Sequence, residues 1–193
     1  GLSALITLLI GIEFITSDSN PVINQVLWQW IDVAGFSPAF GFHLDSLSLV
    51  FIFVITFVGF LIHVYSAEFM VDDEGYARFF TFLNLFVGSM LILVLADNLL
   101  LLYFGWEGVG LCSYLLIGFW YLEEKNGYAA RKAFIITRVG DTAMAIGLFM
   151  IFKTFGTVNI GDIQSQAPSV WAIGSEEATL IALLLLGGAV GKS

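Results

Sequence analysis

The stretch Asp97–Tyr121, DNLLLLYFGWEGVGLCSYLLIGFWY, holds one ionisable carboxylate, Glu107, inside a run long enough to cross a bilayer as a helix. Counted from Leu99 at about 1.5 Å per residue, Glu107 lies roughly 12 Å into a hydrocarbon core of about 30 Å. A carboxylate at that depth costs about a few kcal/mol at least, which makes it a candidate functional residue. Gly105, Gly108 and Gly110 surround it and let neighbouring backbones approach. Tyr103, Gly110 and Tyr114 share its helical face. The competing reading is a glutamate that only cements helix packing.

Composition supports the membrane reading. Of 193 residues, 59% are hydrophobic and only 12% charged, against about 25% charged in soluble domains. The class is all-α: a polytopic transmembrane helix bundle forming a single membrane domain over residues 1–193, with the lipid bilayer as its surroundings. Net charge is −9 with 7 Lys+Arg, so there is no basic patch for nucleic acid. The single cysteine, Cys112, excludes an intrachain disulfide and any CxxC metal or redox pair. It is expected to pack as a small residue within the Glu107 helix. Residues 2–16 lack the basic start of a signal peptide. They are too short for a full span, and the expectation is the tail of a spanning helix.

Four full spans are expected at about 44–66, 78–96, 98–121 and 128–152, from apolar run length. Residues 17–40 form a polar connection containing Pro21 and Pro38, in which Val26–Val33 suggests a short hairpin strand. Trp28, Trp30, Trp120 and Tyr121 suit a membrane-interface belt. Asp45 opens the first full span, where it can cap the helix or take a proton-uptake role. His63, near the other end of that span, is either a satisfied interfacial histidine or a proton relay. Asp97 is the expected cap of the Glu107 helix. Arg138 and Asp141 lie near mid-depth of the last full span, three residues apart on one face. They either neutralise each other as a helix lock or tune neighbouring titratable groups.

Lys153 to about Glu177 reads as a second polar connection. The apolar run TLIALLLLGGAVGKS then starts at Thr179, and Lys192 lies about 20 Å along it. Gly187, Gly188 and Gly191 weaken the helix before that charge. The expectation is a helix interrupted between Gly187 and Lys192, in the manner of ion transporters. GGAVGKS is not a phosphate-binding loop: the first glycine of that motif falls on Leu186. Basic residues in short loops set orientation. Loops 66–78 and 121–132 carry Arg78, Lys125, Arg131 and Lys132, and are expected to face the cytoplasm.

At LADNLLLLYFGWEGVGLCSYLLIGFWY, AFIITRVGD and LLGGAVGKS the chain resembles the family of the largest antiporter-like membrane subunit of respiratory complex I, the NADH:quinone oxidoreductase. FGFHLDSLSL, FLIHVYSAEFM and EGYARFF match the same family in order and spacing. The resemblance covers most of the chain from about residue 40. It implies an antiporter-like fold of inverted repeats with a broken helix, of which this chain is a fragment lacking the second repeat. It implies proton transfer through Glu107, Lys192, Asp141 and Arg138, with Glu107 pairing across a subunit border. His63 and Asp45 match family positions with a less settled role. It implies other membrane subunits of complex I as partners, a neighbouring antiporter-like subunit above all, and a bacterial inner membrane. It implies no cofactor in this chain, with FMN, iron–sulfur clusters and quinone in partner subunits.

The residues and the resemblance meet at one point. Glu107, Arg138, Asp141 and Lys192 are expected near one depth on three helices, with formal charges that sum to zero. Such a set can hold a proton and shift it when a neighbour's charge changes. Two other classes compete with a proton-translocating subunit. One is the main subunit of a multi-subunit cation/proton antiporter; the other is a membrane scaffold whose charges only fix packing.

Overall fold

A computed structural model describes residues 1–16, 22–33 and 35–192. Among the described residues, four helices are long and apolar enough to cross a membrane: α2 (Ser46–Phe69), α3 (Tyr76–Leu95), α4 (Leu99–Ile117) and α5 (Glu124–Phe155). They correspond one to one with the four expected spans. A shorter apolar helix, α1 (Leu2–Thr16), packs on α2 through a small core of Phe14, Leu44 and Ile52. Much of the remaining apolar surface is exposed, for example Val50, Phe57 and Leu61 on α2 and Val139 and Phe149 on α5. That is the surface a lipid-facing helix presents.

The polar segments hold more structure than their composition suggests. An antiparallel hairpin joins β1 (Ile23–Gln29) and β2 (Ala39–Leu44), with Ile23 opposite Leu44 and an irregularity between Val26 and Trp28. The expected strand over Val26–Val33 is therefore shifted toward the N-terminus. Its partner β2 was hidden inside the lead-in to the first span, because Gly41 and His43 blur the alternation there. Trp28 stacks on Phe40 at 4.4 Å across the hairpin. A further helix, α6 (Ile160–Val170), occupies the expected connection 153–177; it is capped by Asn159 and carries Pro168 in its last turn. Pro21 lies outside the described residues.

Both ends of the bundle are tied. At one end the 70–75 turn meets the 118–123 turn, where the Trp120 indole donates to the Asp73 carboxylate at 2.8 Å. At the other end the α3–α4 turn meets β2 and the start of α6. The Asp97 amide donates to the Gly41 carbonyl, and the Ile160 amide to the Asp97 carbonyl. The Asp97 carboxylate accepts the Asn98 side-chain amide at 2.6 Å, and Asn98 caps α4: its side-chain oxygen accepts the Leu101 amide at 2.9 Å while its amide also donates to the Ala39 carbonyl. The cap expected at Asp97 thus falls one residue later.

The last helix, α7 (Glu176–Lys192), is continuous through Lys192. The expected interruption between Gly187 and Lys192 does not occur. Its glycines are contact surface rather than a hinge. A Cβ on Gly140 of α5 would lie 2.8 Å from the Gly191 Cα and 3.1 Å from the Gly187 carbonyl oxygen. Backbone packing at this distance offsets the low helix propensity of glycine.

Candidate functional site: a row of four charges

Three helices place the site. The glycine contact between α5 and α7 sets Lys192 beside Asp141, and α4 supplies Glu107 on the opposite side. Glu107 and Arg138 form an ion pair. The Arg138 guanidinium lies 3.6 Å from the Asp141 Oδ2, and the Lys192 Nζ lies 3.8 Å from the same oxygen. The order Glu107, Arg138, Asp141, Lys192 is thus an alternating row, negative to positive, across three helices. All four residues expected from the sequence are brought together.

The row is polarised in its burial. Asp141 is 1% exposed, so its ionised form depends on its neighbours. At the other end, Glu107 and Arg138 line a lateral cavity of about 570 Å³ whose walls include Leu85, Ile92, Phe104 and Leu111. Arg138 also covers the Phe134 ring at 4.3 Å, a cation–π contact that helps to hold a guanidinium among apolar side chains.

A fifth residue, Trp106, stands at the centre of the row. The Trp106 indole N–H donates to the Asp141 Oδ1 at 2.6 Å, and the Trp106 carbonyl accepts from the Lys192 Nζ at 2.9 Å. The signal was present: a tryptophan at mid-span, away from the interface belt, has to find an acceptor for its N–H. Tyr103, one turn earlier, directs its hydroxyl to the Asp141 carbonyl at 3.5 Å.

His63 and Asp45 stand apart. The His63 Nδ1 hydrogen-bonds the Gly59 carbonyl of its own helix at 2.6 Å. Among the described residues no hydrogen bond or ion pair links it to the charged row. Asp45 forms a capping box with Ser48: its carboxylate accepts the Ser48 amide at 2.8 Å, and the Ser48 hydroxyl accepts the Asp45 amide. The Ser48 backbone N–H, helped by the Ser48 hydroxyl and His43, holds the Asp45 carboxyl below the ordinary carboxylate range against the opposing effect of burial. Asp45 also borders a cavity of about 380 Å³ with His43, Asp97 and Asn159. Cys112 is a fully buried free thiol, as a packing residue would be.

Known proteins resemble this chain along its length. The family described as NADH:quinone oxidoreductase/Mrp antiporter, TM, matches residues 96–193. A second, described as NADH-ubiquinone oxidoreductase (complex I), chain 5 N-terminus, matches residues 30–80. The NADH-quinone oxidoreductase subunit L of Escherichia coli is 52% identical over 193 residues, 100% of this chain and 31% of the relative. That of Pseudomonas aeruginosa is 57% identical over 170 residues, 88% of this chain and 28% of the relative. The chain therefore spans about a third of the length of these relatives. Among solved structures, the Mrp complex from Dietzia matches with TM-score 0.81 and 25% identity over 98% of this chain and 20% of that one. Respiratory complex I from Thermus thermophilus matches with TM-score 0.73 and 23% identity over 97% of this chain and 37% of that one.

Proposed function

We propose, since this chain belongs to the membrane family of NADH:quinone oxidoreductases and Mrp antiporters, that it is the proton-translocating part of an NADH:quinone oxidoreductase membrane subunit. The observation that carries the reading is the alternating row Glu107–Arg138–Asp141–Lys192 at mid-span. Its chemistry follows from charge balance. A proton arriving on Glu107 neutralises the partner of Arg138. Arg138 then shifts its attraction to Asp141, whose Oδ2 lies 3.6 Å away. An Asp141 compensated by Arg138 stabilises the Lys192 ammonium less, and Lys192 releases a proton as its neutral amine. Reversal of the order reloads the row.

In this reading the chain performs no redox chemistry. FMN, iron–sulfur clusters and quinone belong to partner subunits, and reduction there drives the row. Glu107 faces the lateral cavity, where a neighbouring antiporter-like subunit is the proposed partner. The proposed location is a bacterial inner membrane, with loops 66–78 and 121–132 on the cytoplasmic side.

A second reading, the main subunit of a multi-subunit cation/proton antiporter, is favoured by the Mrp complex giving the higher TM-score of the two structures, 0.81 against 0.73. Sequence identity runs the other way, at 52% and 57% to the oxidoreductase subunits. Co-purification with flavin and iron–sulfur subunits separates the two. The proton role is tested by Lys192→Gln in the full complex, because glutamine keeps a donor for the Trp106 carbonyl but carries no transferable proton. The expected result is intact assembly with fewer protons moved per quinone reduced. Undiminished pumping contradicts the reading.

A further inference from the structure

The geometry points to Trp106 as the positioning residue of the row: it seats Asp141 and Lys192 in separate hydrogen bonds, so that they stand as a close but unjoined ion pair. This rests on the proton-holding role proposed above. An amine and a carboxylate free to move would close to about 2.7–2.9 Å. Here the separation is 3.8 Å. Each partner is held elsewhere, and on the same residue. The indole N–H takes the Asp141 Oδ1, while Oδ2 is buried with no hydrogen bond, 3.6 Å from Arg138 and 3.8 Å from Lys192. The Trp106 carbonyl takes the Lys192 Nζ at 2.9 Å, and the indole ring lies 5.2 Å below that nitrogen.

Access to that carbonyl depends on a notch in α4. The helical partner of the Trp106 carbonyl is the amide of residue 110, which is glycine. A Cβ at Gly110 would lie 2.7 Å from the Lys192 Nζ. The lysine reaches the carbonyl across the space where a side chain would stand.

Both seats outlast a change of charge. A neutral amine still donates to a carbonyl, and a protonated carboxyl still accepts from an indole at its other oxygen. Loss of a proton from Lys192 therefore does not leave it buried without a partner. The vacant Oδ2 is the point at which Arg138, Lys192 or a proton can each satisfy Asp141. Direct closure of the Lys192–Asp141 pair would remove that choice. The groups that face Asp141 are Arg138 from α5, Lys192 from α7, and Trp106 and Tyr103 from α4, with Glu107 beyond Arg138.

The test uses the complete NADH:quinone oxidoreductase carrying the full-length subunit, reconstituted in vesicles. Protons moved per quinone reduced are followed across pH, with native gels for assembly. Trp106→Phe keeps a ring and removes the N–H; Trp106→Tyr returns a donor at the ring edge. The expected result for Trp106→Phe is an assembled complex with a lower pumping ratio. Trp106→Tyr, which returns a donor, should recover part of that ratio. Gly110→Ala, which displaces the flexible end of Lys192 and little else, should lower the ratio in an assembled complex. An unchanged profile in Trp106→Phe overturns the inference. If that variant does not assemble, normal pumping by Gly110→Ala overturns it. Lys192→Gln separates this from the underlying reading. If Lys192→Gln pumps normally, the proton role itself fails. If it does not, while Trp106→Phe pumps normally, only the positioning role of Trp106 fails.

Discussion

At Asp141 one buried carboxylate meets two cations and an indole, and the consequence of removing it follows. Asp141→Ala leaves Arg138 and Lys192 with one carboxylate between them at mid-span. Uncompensated buried charge costs roughly 3–5 kcal/mol, so this variant should assemble poorly, with a clear loss of thermal stability on native gels. Asp141→Asn keeps an acceptor for Trp106 and should assemble better than Asp141→Ala while pumping no better. Asp45 predicts a different dependence. Its carboxyl is held below the ordinary value of 3.8, so its capping contribution is present above that pH and is lost as pH falls through the lowered value. Asp45→Asn, also a good cap, should change stability little at neutral pH and flatten its decline in acid; melting followed from neutral to acid pH checks both. At this scale the four charges were legible because an ionisable residue at mid-depth is conspicuous in an apolar run. Trp106 was legible only in half: a mid-span indole N–H needs an acceptor, but its carbonyl, which takes Lys192, has no sequence signature.

Among elements, α5 and α7 are held by contact between backbones. Gly140→Val would place a branched side chain where even a Cβ lies 2.8 Å from the Gly191 Cα. The helices must part, at about 1–3 kcal/mol for overpacking, and the Lys192–Asp141 pair widens with them. The expected outcome is reduced thermal stability together with reduced pumping, whereas Gly127→Ala, with open space around its Cβ position, should alter neither. The same glycines explain one misreading. Three glycines in five residues look like a break when only helix propensity is counted, and become an interface once Gly140 stands opposite. The spans α2 to α5 were legible because run length alone identifies a membrane helix. The hairpin and α6 were not: β2 is a short strand interrupted by glycine, and α6 is a polar helix whose caps, Asn159 and Trp171, resemble loop residues.

For the molecule as a whole, the two tied ends define its sides. The Trp120–Asp73 hydrogen bond joins the 70–75 and 118–123 turns, while the α3–α4 turn lies with β2 and the start of α6 at the other end. Single cysteines placed at Asp72 and Glu123 should react with an impermeant reagent from one side of the membrane, and one at Gln164 from the other. The charged row crosses the bundle between these ends. The most direct measurement is the number of protons moved per quinone reduced by the reconstituted complex carrying Glu107→Gln, beside a native-gel measure of assembly. Glutamine preserves shape and hydrogen bonding but does not ionise. The expected result is an assembled complex that reduces quinone with a lowered proton yield. A well-assembled Glu107→Gln complex with the full proton yield would contradict it.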